Sequence, residues 1–253
     1  MSPVHPTAAT GFANSADDYE RARPSYAAAA VTFLGEALDL RPGRTVVDVA
    51  AGTGKLTRLL VPSGAEVIAV EPVDEMRAIL RAQCPTVDVR AGTAEDLPVS
   101  EADAITVAQA FHWLDGPAAL ASFHRVLRPG GRLAVVYNER TSQPGWVADV
   151  YALIRGLRSE VPQREDGDWK AALWQSELFG PAERREFANP HTLSRELALA
   201  RFRSLSYVGA LPEDRQRAVL EEIAEILDTH PDTRGLSSVV IPQHTAVWVS
   251  TRR

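Results

Sequence analysis

The sequence predicts an α/β protein with a doubly wound, mostly parallel seven-stranded sheet and helical lid insertions in its C-terminal half. Three observations predict this fold class. Over residues 25–140, short β-branched runs alternate with helical patterns, which is typical of parallel βαβ units with right-handed crossovers. A glycine turn directly follows the first of these runs. Two further strand patterns, 184–189 and 244–252, occur in a second half that is otherwise mostly helical.

Each element of the first half has its own signal. An alanine-rich helix over 25–40 ends at the Arg-Pro-Gly turn 41–43. The strand patterns are the runs 45–50, 65–71, 86–92, 102–110 and 132–138. Helical patterns cover 54–60 and 73–82, and a further helix runs from an Asp115 cap, with Pro117 in its first turn, to Leu127. In the second half, Pro212 begins a helix over 212–227.

The chain has 253 residues, enough for one large α/β domain with a substantial core. We expect a single domain over 1–253, made of an N-terminal cap, a ligand-binding core and a mostly helical lid that contributes to the substrate site. The expected bounds are 1–40 for the cap, 41–140 for the core and 141–236 for the lid.

Composition excludes several function classes. The net charge of −6 argues against a nucleic-acid-binding face, which would need a basic surface. The N-terminal segment lacks the pattern of a signal peptide, and no apolar run is long enough to cross a bilayer, so we expect a cytoplasmic protein without membrane association. With a single cysteine, Cys84, and six scattered histidines, the sequence predicts neither a disulfide nor a metal site.

The turn in Val46–Leu60, VVDVAAGTGKLTRLL, is built to hold a nucleotide-like ligand. Gly52 and Gly54 permit positive φ and close approach of the ligand, and the amides of the following helix point toward it. The dinucleotide fingerprint G-x-G-x-x-G fits poorly, because Ala50 occupies its first position and Lys55 its sixth. Ala50 is tolerable in this turn if its φ is negative.

Glu71 ends the second strand pattern, 19 residues after Gly52. An acid at that place accepts hydrogen bonds from ribose hydroxyls in nucleotide-binding sheets, and it disfavours a 2′-phosphate. A nucleotide-like ligand is indicated more specifically by the combination of Asp48, Gly52, Gly54 and Glu71 than by the turn alone. They leave open whether the ligand is NAD or another adenosine-containing cofactor.

Several motifs resemble one family. D-x-A-A-G-T-G at 48–54 resembles the first motif of class I S-adenosylmethionine-dependent methyltransferases. The later motifs of the methyltransferase type 11 and trans-aconitate methyltransferase-like group are matched in order by AVEPVDEM (69–76), AGTAEDLP (91–98), AQAFHWLD (108–115) and RVLRPGGRLAVVYNER (125–140). GFANSADDYERARPSY (11–26) resembles its N-terminal segment, and RFRSLSYVGALPEDRQ (201–216) its lid. The similarity covers most of the chain and is specific for fold and cofactor, but not for substrate.

The resemblance implies a Rossmann-like methyltransferase fold and a site for S-adenosyl-L-methionine, with S-adenosyl-L-homocysteine as product. It implies that Asp48 supports the turn, that Glu71 holds the ribose and that Tyr19 and Arg23 fold over the methionine carboxylate. It also implies that Ala50 would lie beside the methionine end of the cofactor. The cofactor-binding residues implied are Tyr19, Arg23, Asp48, Ala50, Gly52, Gly54, Glu71, Pro72, Met76, Ala94, Glu95, Gln109 and Ala110. Of these, Pro72, Met76, Ala94 and Glu95 would surround the adenine, and Gln109 and Ala110 would lie near the sulfonium.

The expected reaction is in-line methyl transfer to a small-molecule acceptor, with a carboxylate or hydroxyl oxygen as nucleophile. His112 is the candidate general base; alternatively it only shapes the pocket. Candidate acceptor contacts are Trp113, Trp146, Arg203, Ser206 and Tyr207, each of which could instead serve packing. We expect a monomer or homodimer. Two alternatives stay open: a cofactor-binding module or cyclase of the same fold that does not methylate, and an NAD-dependent oxidoreductase.

Overall fold

The computed structural model describes residues 16–141, 145–158 and 168–253, and within them it shows a seven-stranded sheet and a smaller two-stranded one. The strands are β1 Thr45–Val49, β2 Glu66–Val70, β3 Asp88–Arg90, β4 Ala102–Ala108, β5 Leu127–Arg140, β6 Glu183–Ala188, β7 His191–Ser194, β8 Ser238–Ile241 and β9 Gln243–Thr251. The large sheet has the order β3-β2-β1-β4-β5-β9-β6. Its first five strands are parallel, and β9 runs antiparallel to both β5 and β6. The predicted fold class is confirmed.

Helices flank the sheet and form most of the C-terminal half. The helices are α1 Ala16–Ala22, α2 Ala28–Ala37, α3 Thr57–Leu60, α4 Asp74–Gln83, α5 Gly116–Val126, α6 Trp146–Leu153, α7 Asp168–Gln175, α8 Arg195–Arg203, α9 Ser206–Gly209 and α10 Glu213–Thr229. Single turns of 3₁₀ helix cover Val61–Ser63 and Phe111–Trp113, and a longer one covers Ile154–Arg158. The predicted cap of α5 is present: the Asp115 carboxylate accepts the amide of Ala118 at 3.1 Å.

The central strands are buried on both faces, which explains why they read as continuous apolar runs rather than as alternating ones. In β4 every residue from Ala102 to Val107 is buried. One apolar cluster on the sheet includes Ile105, Phe111 and Trp248, and a second includes Leu34 and Val46. The strand order reverses between β1 and β4, so ligand-binding residues are expected at the carboxyl ends of these two strands.

The C-terminal half has a core of its own, which we call the lid core. Its buried members include Trp146, Val150, Phe202, Ile223 and Leu227, from α6, α8 and α10. Helix α1 packs against α8 of this lid, so the N-terminal cap and the lid meet. The predicted apolar face of the helix over 212–227 is present, since Val219, Ile223 and Leu227 of α10 are buried.

Several predicted bounds are wrong. The helix predicted over 25–40 is shorter, Ala28–Ala37, because Ala27 has an extended ψ of 134° and Leu38 ends the helix with a φ of −101° and a ψ of 0°. The helix predicted over 54–60 begins only at Thr57, because the preceding residues form the turn. Strand β5 includes the predicted Arg-Pro-Gly-Gly turn at 128–131 and has an irregular register with β4 there. The pairing of β7 with β8 was not predicted, because the two four-residue strands are far apart in sequence.

Among the described residues, no helix is both long enough and apolar enough to cross a lipid bilayer.

Candidate active site

The turn after β1 contains three residues with positive φ: Ala50 at +52°, Gly52 at +58° and Gly54 at +86°. Glycine adopts this region readily, whereas a left-handed conformation costs an alanine about 1–2 kcal/mol. Ala50 therefore lacks the negative φ that would make an alanine harmless here. The backbone of the turn keeps the conformation that a glycine would adopt at position 50, and Ala50 is strained because it occupies that conformation.

The two glycines of this turn serve different purposes. A Cβ on Gly54 would lie 2.4 Å from Cδ1 of Leu80, so a glycine is needed for the turn to pack against α4. A Cβ on Gly52 would meet no atom within 4 Å. The space on the side of Gly52 where a side chain would lie is therefore open. The neighbouring Thr53 has a buried hydroxyl without a hydrogen-bond partner among the described residues. This arrangement fits a polar ligand lying along the turn.

Glu71 follows β2, and backbone amides hold both of its carboxylate oxygens. Oε2 accepts the amide of Gly52 at 2.8 Å, and Oε1 accepts the amide of Val73 at 2.9 Å. The side chain is only 5% exposed, and burial raises its pKa to about 7, against the two amide donors, which lower it. Each oxygen keeps a second lone pair for a hydroxyl donor. The carboxylate is therefore suited to bind a pair of ribose hydroxyls.

Arg77 supports this strand end, and the sequence patterns did not identify it. Its Nη1 donates to the carbonyl oxygens of Glu71 and Pro72, both at 2.8 Å, and its other amino group pairs with Asp74. The guanidinium thus fixes the backbone on which the Glu71 side chain depends.

Asp48 is fully buried and connects three elements of the site. Its Oδ2 accepts the hydroxyl of Thr57 at 2.6 Å, and its Oδ1 accepts the hydroxyl of Thr106 at 2.8 Å. Burial raises its pKa to about 6, against these hydrogen bonds. Since Thr57 begins α3 and Thr106 belongs to β4, Asp48 links β1 to both of these elements through two buried hydrogen bonds.

The residues expected around an adenine lie at the ends of β2 and β3. Met76 of α4 is 3% exposed and Ala94 is equally buried, so both belong to the apolar interior next to these strand ends. Thr93 also has a buried hydroxyl without a partner among the described residues. The Glu95 carboxylate accepts the amide of Asp115 at 3.1 Å, which joins the loop after β3 to the start of α5.

The N-terminal cap reaches the turn through α1. Lys55 Nζ donates to the Glu20 carbonyl at 2.6 Å, and Arg58 pairs with the Glu20 carboxylate at 2.8 Å. The Arg23 guanidinium lies over the Tyr19 ring, with Cζ 5.2 Å from its centroid. Burial raises the pKa of Tyr19, and the charges that act on it include both Glu71 and Arg23. The structure therefore brings Tyr19 and Arg23 to the same side of the molecule as the turn.

The carboxyl end of β4 is strained like that of its neighbour β1. Gln109 has a φ of +60°, and its amide donates to the carbonyl of Val136 at 2.8 Å. The adjacent His112 is half-buried, and its Nδ1 lies 2.9 Å from the Tyr137 hydroxyl, which also accepts the His112 amide at 3.0 Å. Strained non-glycine residues concentrate at functional sites. Ala50 and Gln109 place such strain on both sides of the point where the strand order reverses.

The expected acceptor contacts have different surroundings. Trp146 and Tyr207 are buried members of the lid core, and Ser206 beside them is 5% exposed. Arg203 forms an ion pair with Asp18 of α1. Trp113 is half-buried, with its ring 5.1 Å from that of His112. Of the predicted contacts, Trp113 is therefore the one that the structure brings beside His112.

Three polar residues at the carboxyl edge of the sheet and in the lid were not identified from the sequence: His191, Arg201 and Gln243. Arg201 is 6% exposed and Gln243 is 4% exposed. Side-chain nitrogen or oxygen atoms of all three are buried without a hydrogen-bond partner among the described residues. These residues differ from other polar residues only in being buried without partners in the described part of the chain. No spacing or motif in the sequence indicates that burial.

Glu139, Glu186 and His244 form the cluster of potential metal ligands in the described part of the chain, with ligand atoms within 4.8 Å of one another. Arg184 pairs with Glu139 at 2.9 Å and also with Glu186. His244 Nε2 lies 3.2 Å from the Glu139 carboxylate. The cluster is therefore a network of ion pairs on β5, β6 and β9, away from the turn after β1.

Comparison with known proteins assigns the family. A model described as a methyltransferase domain matches residues 47–135. The chain is 34% identical, over 236 residues and 92% of each chain, to an uncharacterized methyltransferase of Mycobacterium tuberculosis. It is 30% identical, over 244 residues and 95% of each chain, to an uncharacterized methyltransferase-like protein of Schizosaccharomyces pombe.

A solved structure shares the fold. The YcgJ protein from Bacillus subtilis superposes with a TM-score of 0.58 at 21% identity, covering 89% of this chain and 98% of that one. The sequence matches favour methyl transfer over the alternative of an NAD-dependent oxidoreductase. By its likeness to these relatives over nearly its whole length, the chain belongs to the class I S-adenosylmethionine-dependent methyltransferases.

Proposed function

We propose that this methyltransferase binds S-adenosyl-L-methionine along the turn after β1 and transfers the methyl group to an oxygen of a small-molecule acceptor. The observation that carries the cofactor assignment is the Glu71 carboxylate, held by the amides of Gly52 and Val73 beside the open face of Gly52. This geometry presents two lone pairs to vicinal hydroxyls and a glycine backbone to the rest of the ligand.

The adenosine part rests on residues at the ends of β2 and β3. Glu71 accepts the two ribose hydroxyls. The adenine lies among Pro72, Met76 and Ala94, with Glu95 at its edge; the burial of Met76 and Ala94 supports an apolar contact with the ring.

The methionine part extends toward the N-terminal cap. Arg23 binds its carboxylate, with the Tyr19 ring packed under the guanidinium. Nε and one hydrogen of Nη2 of Arg23 already donate to Ser204, so the carboxylate is bound by Nη1 and the second hydrogen of Nη2. Gln109 and Ala110, at the end of β4, line the position of the reacting sulfur.

When bound, the cofactor supplies an activated methyl group and a neutral leaving group. The residues of this chain position the acceptor in line, exclude water and accept a proton where the nucleophile carries one. A carboxylate nucleophile needs no base. For a hydroxyl nucleophile, we assign the proton acceptance to His112, whose Nδ1 lies 2.9 Å from the Tyr137 hydroxyl.

Tyr137 can position this histidine. Its hydroxyl oxygen accepts the His112 amide and has a second lone pair for an Nδ1–H, the tautomer in which Nε2 takes up a proton. The Tyr137 ring is fully buried, 4.9 Å from the ring of Trp169 and 6.1 Å from that of Trp248. The hydroxyl position is therefore fixed by aromatic packing.

Two measurements test the proposal. Titration calorimetry of the purified protein with S-adenosyl-L-homocysteine should show one site per chain, with NAD as the control ligand. Incubation with methyl-labelled S-adenosyl-L-methionine and a protein-free small-molecule extract should transfer label to an oxygen of one component. Absence of S-adenosyl-L-homocysteine binding would overturn the cofactor assignment, and label on nitrogen or carbon would overturn O-methylation.

A further inference from the structure

Arg201 of α8 is a buried cation without a counter-ion. The residue is 6% exposed, and its Nε and Nη1 have no hydrogen-bond partner among the described residues. No carboxylate in the described part of the chain forms an ion pair with it, whereas Arg203, two residues along the helix, pairs with Asp18. Burying a guanidinium in this way is strongly unfavourable unless an anion compensates it.

The groups around Arg201 add positive charge. Burial, together with the charges of Arg23 and Arg140, lowers the pKa of Arg201 to about 10. Arg140 lies against the ring of Tyr151, with Cζ 3.5 Å from the centroid. The charges of Tyr151 and Tyr19 oppose this effect. The surroundings of Arg201 therefore favour an anion.

Two further side chains with donor atoms lie on the strand ends near α8: β7, which begins at His191, contacts α8, and the carbonyl of Gln243 accepts the amide of Asn189, two residues before His191, at 3.1 Å. The Nδ1 of His191, at the start of β7, is buried without a partner, and so are both amide atoms of Gln243, at the start of β9. Burial and the charge of Arg201 lower the pKa of His191 to about 4, so its ring is neutral near pH 7. Gln243 pairs in register with Arg140 across β5 and β9.

The position of these groups separates them from the ribose site. Arg140 ends β5, and Gln243 begins the antiparallel β9 at the same edge of the sheet. Glu71 ends β2, and β1 and β4 lie between β2 and β5. With strands about 4.8 Å apart, the two positions are about 14 Å apart across the sheet. The reacting sulfur is assigned to the end of β4, so the β5 and β9 side is where the acceptor would lie.

We propose that Arg201, His191 and Gln243 form a subsite for an oxyanion carried by the methyl acceptor. The guanidinium binds two oxygens, and the imidazole and the amide donate to the remaining lone pairs. This role rests on the proposed function, because the subsite can face the acceptor only if the cofactor lies along the turn after β1. The group they bind determines which acceptor fits and holds it for transfer.

The test measures anion binding without the acceptor being known. The Tm is measured for wild type, Arg201→Met and Gln243→Leu. Each protein is titrated with succinate and, separately, with sulfate at constant ionic strength. Both titrations are repeated in saturating S-adenosyl-L-homocysteine. Arg217→Met removes the same charge from the exposed face of α10 and is the control. Both anions should raise the Tm of wild type, equally when S-adenosyl-L-homocysteine is present.

Arg201→Met should lower the apparent anion affinity at least tenfold, and Gln243→Leu by a smaller factor. Without ligand, Arg201→Met should melt above wild type, because methionine removes an unpaired buried charge. A lower Tm would make Arg201 structural and overturn the subsite, as would equal anion responses of Arg201→Met and Arg217→Met.

Two results would show that Arg201 binds the carboxylate of the cofactor, and would overturn its assignment to the acceptor. One is loss of the succinate response in saturating S-adenosyl-L-homocysteine. The other is a tenfold weaker affinity of Arg201→Met for S-adenosyl-L-homocysteine in calorimetry. If wild type binds no S-adenosyl-L-homocysteine at all, the proposed function fails, whereas the anion response of the free protein is still measured.

A labelling experiment with extract separated on an anion exchanger completes the test. Label should be transferred to a component of the anionic fraction. Transfer only to neutral or cationic components would contradict the subsite.

Discussion

Arg23 of the N-terminal cap donates two hydrogen bonds to Ser204 of the lid, from Nε to Oγ and from Nη2 to the carbonyl oxygen, both at 2.8 Å. Ser204 is fully buried, and its hydroxyl donates to the carbonyl of Arg201 at 2.7 Å. The cap and the lid are therefore joined at the guanidinium to which we assign the methionine carboxylate. If Arg23 also binds the cofactor, one side chain contacts the cap, the lid and the ligand.

This arrangement predicts graded losses of cofactor affinity. Arg23→Gln should weaken S-adenosyl-L-homocysteine binding more than tenfold, because it removes the charge opposite the carboxylate. Ser204→Ala should weaken it only a few-fold, because the charge of Arg23 stays, Nη2 keeps the carbonyl oxygen and only the bond from Nε to the hydroxyl is lost. Calorimetry at constant salt measures both. A larger loss in Ser204→Ala than in Arg23→Gln would contradict the assignment of Arg23.

Glu71 predicts a pH dependence of cofactor binding. Burial raises its pKa to about 7, so the unliganded protein carries this carboxyl partly protonated at neutral pH. Ribose hydroxyls donate to the ionised form and stabilise it, so binding lowers the pKa and releases a proton. Affinity for S-adenosyl-L-homocysteine should therefore rise from pH 6 to pH 8.

Calorimetry in buffers of different ionisation enthalpy measures the released proton directly. Glu71→Gln should abolish the release and weaken binding, because an amide nitrogen would face a backbone N–H that now needs an acceptor. A flat pH profile in wild type would remove Glu71 from the ribose site.

Ala50 predicts a stabilising substitution. Ala50→Gly relieves a φ of +52° and should stabilise the protein by about 0.5–1 kcal/mol, after the entropy cost of glycine in the unfolded chain is subtracted. In a chain of this size that corresponds to a rise in Tm of about 1–4 °C. Ala51→Gly is the matched control: residue 51 has no positive φ, so the variant should lose stability.

The same variant tests crowding of the cofactor. If the Ala50 methyl group contacts the methionine end, Ala50→Gly binds S-adenosyl-L-homocysteine more tightly than wild type. Equal affinity would show that the cost of the alanine is confined to the backbone.

His112 predicts a difference between acceptor classes. For a hydroxyl acceptor, His112→Asn should lower kcat by about 10²–10⁴-fold, and Tyr137→Phe should lower it less and shift the acid limb of the pH–rate profile. For a carboxylate acceptor, both variants should change KM more than kcat, because no proton is transferred. An unchanged kcat with a hydroxyl acceptor would restrict His112 to shaping the pocket.

The sequence alone determined the α/β class, the central strands and the location of the glycine turn after β1, to which we assign the cofactor. These features depend on local patterns in the sequence. A strand is identified by its run of β-branched residues, a turn by its glycines and the acid by its position directly after a strand. Glu71 and Asp48 could be singled out because each lies next to a strand that the pattern identifies.

The tertiary structure decided which polar residues lack partners. Arg201 and Arg203 are chemically identical and two residues apart, and on a helix that separation turns the side chains about 200° from each other. Which of them is buried depends on what packs against α8, and that includes α1, a segment more than 170 residues earlier in the chain. The pairing of β7 with β8 and the φ of Ala50 were set in the same way, by contacts and backbone geometry that no local pattern in the sequence encodes.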